Sequence, residues 1–164
     1  MSRPRPEPVE VVKSRREAAL ARLIAGVPYI GFLGAGFDRR GDELTAVLPF
    51  HASLIGNPVI PALHGGATAA FLEVTAIIEL AWSTLWEDME TGRIDPASES
   101  FPALPKTITF TVDYLRSGLP RDAYARATVT RSGRRYATVQ VQAWQDNVER
   151  PFAQATAHFL MPEP

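Results

Sequence analysis

The stretch 57–73, NPVIPALHGGATAAFLE, gathers the residues whose types and spacing could do chemistry. His64 stands before two glycines, and a single carboxylate, Glu73, follows nine positions after it in an otherwise apolar run. Adjacent glycines weaken a helix, and a carboxylate among apolar neighbours costs free energy, so the pattern asks for a reason beyond packing. A lone acid in such a place is a candidate general base or nucleophile.

Other reactive groups lack partners. His51 and His158 have no neighbours at metal-ligand spacing and read as structural. Ser53, Ser83 and Ser117 lie outside any nucleophile-elbow sequence. GFLGAGF has the wrong glycine order for a dinucleotide fingerprint and precedes a strand. Glu79 and Glu87 read as solvated or interfacial, and Phe71, Trp82 and Trp86 as core or contact residues. With 0 cysteines there is no disulfide framework, thiolate nucleophile or Cys-ligated metal, and no metal or redox cofactor is expected.

The elements that must position these residues follow from periodicity. Residues 1–8 carry three prolines and are expected to be loose or extended. From Val9 to Ala25 apolar residues recur at helical spacing; Ser14 and Glu17 have capping-box spacing, so the helix is expected to begin there, and Gly26 with Pro28 to stop it. GFDRRGDELTAVLPF reads as two strands around an Arg-Gly-Asp turn, and 51–62 as a proline-punctuated loop. A central helix spans about His64 to Trp86, apolar on most of its circumference and hence surrounded by protein. After a long polar connection, 88–105, all is strand. In TITFTVDYL, Ile108, Phe110, Val112 and Tyr114 alternate with polar residues, and a hairpin turns at Ser132-Gly133. Ala125, Ala127, Ala137, Ala153, Ala155 and Ala157 place small side chains on alternate strand positions, where a sheet curls closely round a helix. The expected class is α+β, one buried helix wrapped by an antiparallel sheet.

Composition agrees. The 164 residues allow one core, 46% are hydrophobic, and the formal charge of −1 gives no pull toward nucleic acid or an anionic membrane. The apolar region near 67–86 contains Glu73 and Glu79 and is not expected to span a membrane; no signal peptide is read at the N-terminus, and a cytoplasmic location is expected.

HGG opening an apolar helix, an acid nine positions after the His, and a later strand ending in DYLR together resemble the hotdog-fold thioesterases, in particular the PaaI-like (phenylacetic-acid-pathway) acyl-CoA thioesterases. The resemblance runs from about Gly31 to Met161, so 1–30 is expected to be an extension with its own helix and 31–164 the hotdog domain. It implies that the Gly65 N–H polarises the thioester carbonyl, that Glu73 activates water or attacks directly, that Asn57 positions water or the histidine, and that His64 orients the loop. Many PaaI-like members carry Asp where this chain has Glu73, and the Asn57-to-His64 separation is one longer than the family's. Coenzyme A is expected on basic groups, with Arg116, Arg131, Arg134 and Arg135 as candidates.

Gly65 and Glu73 lie eight residues apart, or roughly 12 Å along one helix, too far for one thioester carbon to meet both. The site is therefore expected to be shared across a symmetric dimer, with a tetramer of two dimers as the full assembly. Two other readings stay open: a non-hydrolytic acyl-CoA-binding or regulatory hotdog protein, and a hotdog dehydratase, against which His51 followed by Ala-Ser-Leu argues.

Overall fold

The computed structural model describes residues 7–163; the proline-rich opening at 1–6 lies outside them. Two helices lead, α1 (Val9–Ala25) and α2 (Pro28–Leu33), followed by the hairpin strands β1 (Gly36–Arg40) and β2 (Glu43–Leu48). A 3-10 turn at Ala52–Leu54 and two short paired strands, β3 (Ile55–Asn57) and β4 (Ala62–Leu63), then deliver the chain to α3 (Gly65–Glu90). Strands β5 (Lys106–Tyr114), β6 (Ala123–Ser132), β7 (Tyr136–Trp144) and β8 (Ala153–Leu160) complete it. The main sheet has the order β1-β2-β6-β7-β8-β5 and curls around α3, giving the hotdog arrangement expected of the sequence.

Register explains how closely the helix sits. Ala46, Ala125, Ala143 and Ala153 are partners across β2, β6, β7 and β8, and Tyr114 of β5 ends the same row. Those four alanines are fully buried, so the row presents only methyl groups to the helix side. Farther along the sheet the rows fill out, with Val129, Val139, Ala157 and Phe110 opposite one another. Against this surface α3 buries Phe71, Leu72, Ile78, Leu80 and Trp82. By length and composition α3 could cross a membrane, but here it is the core helix.

One strip of α3 is left partly open, through Gly66, Ala69, Ala70, Glu73 and Ile77. These recur at three-and-four spacing and so share a face. On its other flank α1 clamps the C-terminal half: Arg16 makes two 2.7 Å hydrogen bonds to the Glu90 carboxylate and lies over the Trp86 ring, and Arg15 donates to the Met89 carbonyl.

Four local expectations are corrected. Helix α1 begins at Val9 after Pro8, whose rigid backbone suits a helix entrance, and has no side-chain cap, so the Ser14/Glu17 box is not used. Pro28 starts α2 as well as following α1, and Gly34, at φ 77°, ends it in the left-handed region. The stretch 51–62 contains the 3-10 turn and the β3–β4 pair where a plain loop was expected. A bulge between Thr107 and Thr109 breaks the alternation of β5 and leaves Ile108 53% exposed.

Beside the β1–β2 turn, Glu79 of α3 is largely enclosed. Burial, and then the like charges of Asp42 and Glu43, raise its pKa to about 7. Trp82 fixes this turn by donating to the Asp42 carbonyl, while Arg126 pairs with Glu43 at 2.7 Å. A folded-state pKa above the unfolded value means that ionising Glu79 opposes folding, so stability is lost as pH rises from about 4.5 through about 7. Glu79→Gln is therefore expected to gain about 1–2 kcal/mol on wild type between pH 5 and pH 8, less than the full shift because part of the carboxyl meets solvent. Urea melts at the two pH values measure it; parallel pH dependence in both proteins refutes it.

Candidate active site

The head of α3 is held by local contacts that the HGG sequence makes possible. His64 is the N-cap: its Nδ1 accepts from the Gly66 N–H at 2.9 Å, which requires that nitrogen to be unprotonated. The ring lies so close that a Cβ on Gly66 would stand 2.9 Å from it. His64 is fixed in turn by its own N–H, which donates to the Leu54 carbonyl at 2.7 Å. Gly56 passes just beneath; a Cβ there would come within 2.7 Å of the His64 backbone.

Among the described residues, the Gly65 N–H, like that of Ala67, donates to nothing, whereas the Gly66 and Thr68 N–H groups are taken by the His64 ring nitrogen and carbonyl. This leaves a free donor at the positive end of a long helix, the kind of group that stabilises an oxyanion. Tyr114 braces it from the edge strand: its hydroxyl donates to the Gly65 carbonyl at 2.7 Å. The tyrosine was missed as a site residue, although its parity with Phe110 and Val112 marked it as facing the helix.

Glu73 lies two turns along on the open strip, half-buried, with no hydrogen bond or ion pair to any described residue. A carboxylate so placed is free to engage a substrate or a water. Asn57 is exposed, and its Oδ1 accepts from the Val59 and Ile60 N–H groups at 3.0 and 3.4 Å, so its observed partners are in the β3–β4 loop, not His64. The other histidines pair with hydroxyls, His51 with Ser53 and His158 with Thr138. Glu87 is exposed beside Arg93.

The structure separates the arginines proposed for coenzyme A. Arg116 follows β5 at the Gly65 end of the sheet, while Arg131, Arg134 and Arg135 crown the β6–β7 hairpin at the opposite end. A strand of this length puts the two groups roughly 25 Å apart. Within one chain they cannot grip the same phosphates.

Comparisons with known proteins fit this geometry. The Escherichia coli K12 medium/long-chain acyl-CoA thioesterase YigI is 30% identical over 137 residues, which cover 82% of this chain and 86% of the relative. A Chromobacterium violaceum crystal structure is 33% identical, with a TM-score of 0.61 over 93% of this chain and 97% of its own. A phenylacetic acid degradation-related protein from Ralstonia eutropha JMP134 shares the fold at 23% identity, with a TM-score of 0.61 over 87% of this chain and 99% of its own. The family model of the acyl-CoA thioesterase N-terminal domain matches residues 56–160, from Gly56 beneath the histidine to the last residue of β8, and the chain belongs to this acyl-CoA thioesterase family.

Proposed function

We propose that two copies of this thioesterase build each active site together, with Gly65 from one chain and Glu73 from the other, and that the substrate is a medium- to long-chain acyl-CoA. The observation that carries the shared site is the separation of its halves: a free Gly65 donor and an unpaired Glu73, roughly 12 Å apart along one straight helix. The free edge of β5 supports the same reading. Its nine residues, KTITFTVDY, end the sheet with an unpaired backbone row, which is a template for another strand. Two such edges paired antiparallel make one continuous sheet, bring two α3 helices side by side in opposite directions, and set the open strips face to face.

In this arrangement the thioester carbonyl oxygen accepts from the Gly65 N–H, which lowers the energy of the tetrahedral oxyanion. Glu73 of the facing helix takes the proton of an attacking water, or attacks the carbonyl carbon itself. Collapse of the intermediate breaks the carbon–sulfur bond and expels the thiolate of coenzyme A, which takes up the proton that Glu73 removed from water; where Glu73 itself attacks, the thiolate takes a proton from solvent and a water then hydrolyses the acyl–Glu73 anhydride to the free acid and Glu73. His64 keeps the donor in place by capping the helix, and Asn57 shapes the adjoining loop. The chain-length preference rests on the likeness to YigI.

A hydrolysis screen across acyl-CoA chain lengths and aromatic acyl-CoAs, run with sedimentation analysis, tests the proposal. The expected result is turnover that is best on medium and long chains by a dimer or by a tetramer formed from two dimers. Preference for aromatic acyl groups overturns the substrate reading, and an active monomer overturns the shared site.

A further inference from the structure

The outward face of the sheet carries a pattern that the active site does not use. Register places Arg126, Gln142, Gln154 and Asp113 in one outward row across β6, β7, β8 and β5, and Thr128, Gln140, Thr156 and Thr111 in the next. Beyond them come Thr138, His158 and Thr109, and then Tyr136, Leu160 and Lys106. In these rows β7 and β8 contribute no Asp, Glu, Lys or Arg, although most of the positions are exposed. A free protein surface is normally rich in such charges, and their depletion marks the centre of an interface.

The two ends of this face complement each other. Around Gln142 and Gln154 runs a trough of about 380 Å³ with Val148 among its lining residues. At the hairpin end Tyr136 stands 56% exposed, opposite Leu160. The charges of β5 divide in the same way. Asp113 lies in the row of the trough, where it meets only the Gln154 amide at 3.4 Å, and Lys106 lies in the row of the tyrosine. Neither has an ion-pair partner among the described residues.

We infer that this face seats a second dimer of the same chain, sheet against sheet, with Tyr136 as the anchor and the Gln142–Gln154 trough as its socket. The inference takes its symmetry from the β5-paired dimer proposed above. With β5 paired about its middle residue, Phe110, the other two-fold axes of a closed tetramer lie in the plane between the stacked sheets. The axis that crosses the strands lays each strand over its own copy, reversed. Tyr136 and Leu160 of one chain then fall over the trough of the other, Asp113 falls over Lys106, and the two middle rows face each other. Amides and hydroxyls suit such a contact because each both donates and accepts, and an aromatic side chain seated in a pocket is a common source of binding energy. Four strands about 4.8 Å apart and four rows give roughly 400 Å² per chain, or about 1,600 Å² over four chains, the size of a stable interface.

Sedimentation of the full chain over a range of concentrations tests this, with hydrolysis as a separate readout. The wild type is expected to be a tetramer at micromolar concentration. Tyr136→Glu, and the pair Gln140→Glu/Thr156→Glu, are each expected to raise the tetramer–dimer dissociation constant about 100-fold and to leave dimers of unchanged turnover per chain, because β5 and the site are untouched. Lys106→Glu is expected to weaken the tetramer about tenfold, and the reversed pair Lys106→Glu/Asp113→Lys to recover it. A wild type that never passes the dimer, or a tetramer that survives both face variants, overturns the inference. Loss in Lys106→Glu with no recovery in the reversed pair overturns the stacking symmetry. Failure of the shared site shows differently, as an active monomer.

Discussion

Glu73→Gln is expected to lower kcat about 100-fold or more while leaving acyl-CoA binding nearly intact. The amide keeps the shape of the acid but can neither accept the proton of water nor attack as a carboxylate. The structure makes the substitution clean, because Glu73 has no ion pair or hydrogen bond to any described residue and lies on the open strip of α3. Stability should change little, and a melting curve will separate lost chemistry from lost fold. A folded Glu73→Gln protein with near wild-type turnover removes Glu73 from the mechanism. Glu73→Asp asks how far the carboxylate must reach across the proposed interface, since it keeps the charge but shortens the side chain.

The other large effect comes from mixing two inactive proteins. Gly65→Pro removes the proposed oxyanion donor, and the helix start is unusually suited to it. Gly65 is the first residue of α3, where a proline breaks no intrahelical bond, and His64, at φ −62° and ψ 130°, already has the extended backbone preferred before proline. A Cβ there would meet the Tyr114 ring at 3.3 Å, so the half-exposed ring must yield slightly. When Gly65→Pro and Glu73→Gln chains exchange subunits, about half the dimers are mixed, and each has one intact site and one doubly defective site; recovery is about a quarter of wild-type activity. Sites confined to single chains give none. Exchange is confirmed by mass spectrometry on differently tagged chains, so absence of recovery after proven exchange ends the shared-site model.

The parts of this fold legible in the sequence were those governed by local pattern. The apolar run after His64, the Ser132-Gly133 turn and the alternating alanines of β6 and β8 each carry their structure in a short window. What escaped depends on distant partners. Helix α3 continues past Trp86 to Glu90 because Arg16 and Arg15 of α1 grip its last turn, contacts that no periodicity in α3 encodes. Helix α2 is six residues long, too short for an apolar period, and begins with a proline that reads as an end. Of the candidate site, Gly65, His64 and Glu73 were found through motif and spacing. Tyr114 was overlooked because its hydroxyl matters only once β5 and α3 are brought together.

The alanine row beneath the helix sets a tolerance for catalysis. Ala46, Ala125, Ala143 and Ala153 act as spacers of fixed thickness between α3 and the sheet, and Tyr114 at the end of the row touches Gly65, the proposed oxyanion donor. Interior packing leaves little room for an added methyl group, so a valine at Ala153 must push the helix, the strand or both. Any such movement is delivered to Gly65 through Tyr114, and hydrogen bonds to an oxyanion weaken steeply with a few tenths of an ångström or a small tilt. On the proposed mechanism, positions that touch no substrate thus govern its alignment. The freedom to vary side chains along this row is set by the precision of the reaction at its end, not by the stability of the sheet alone.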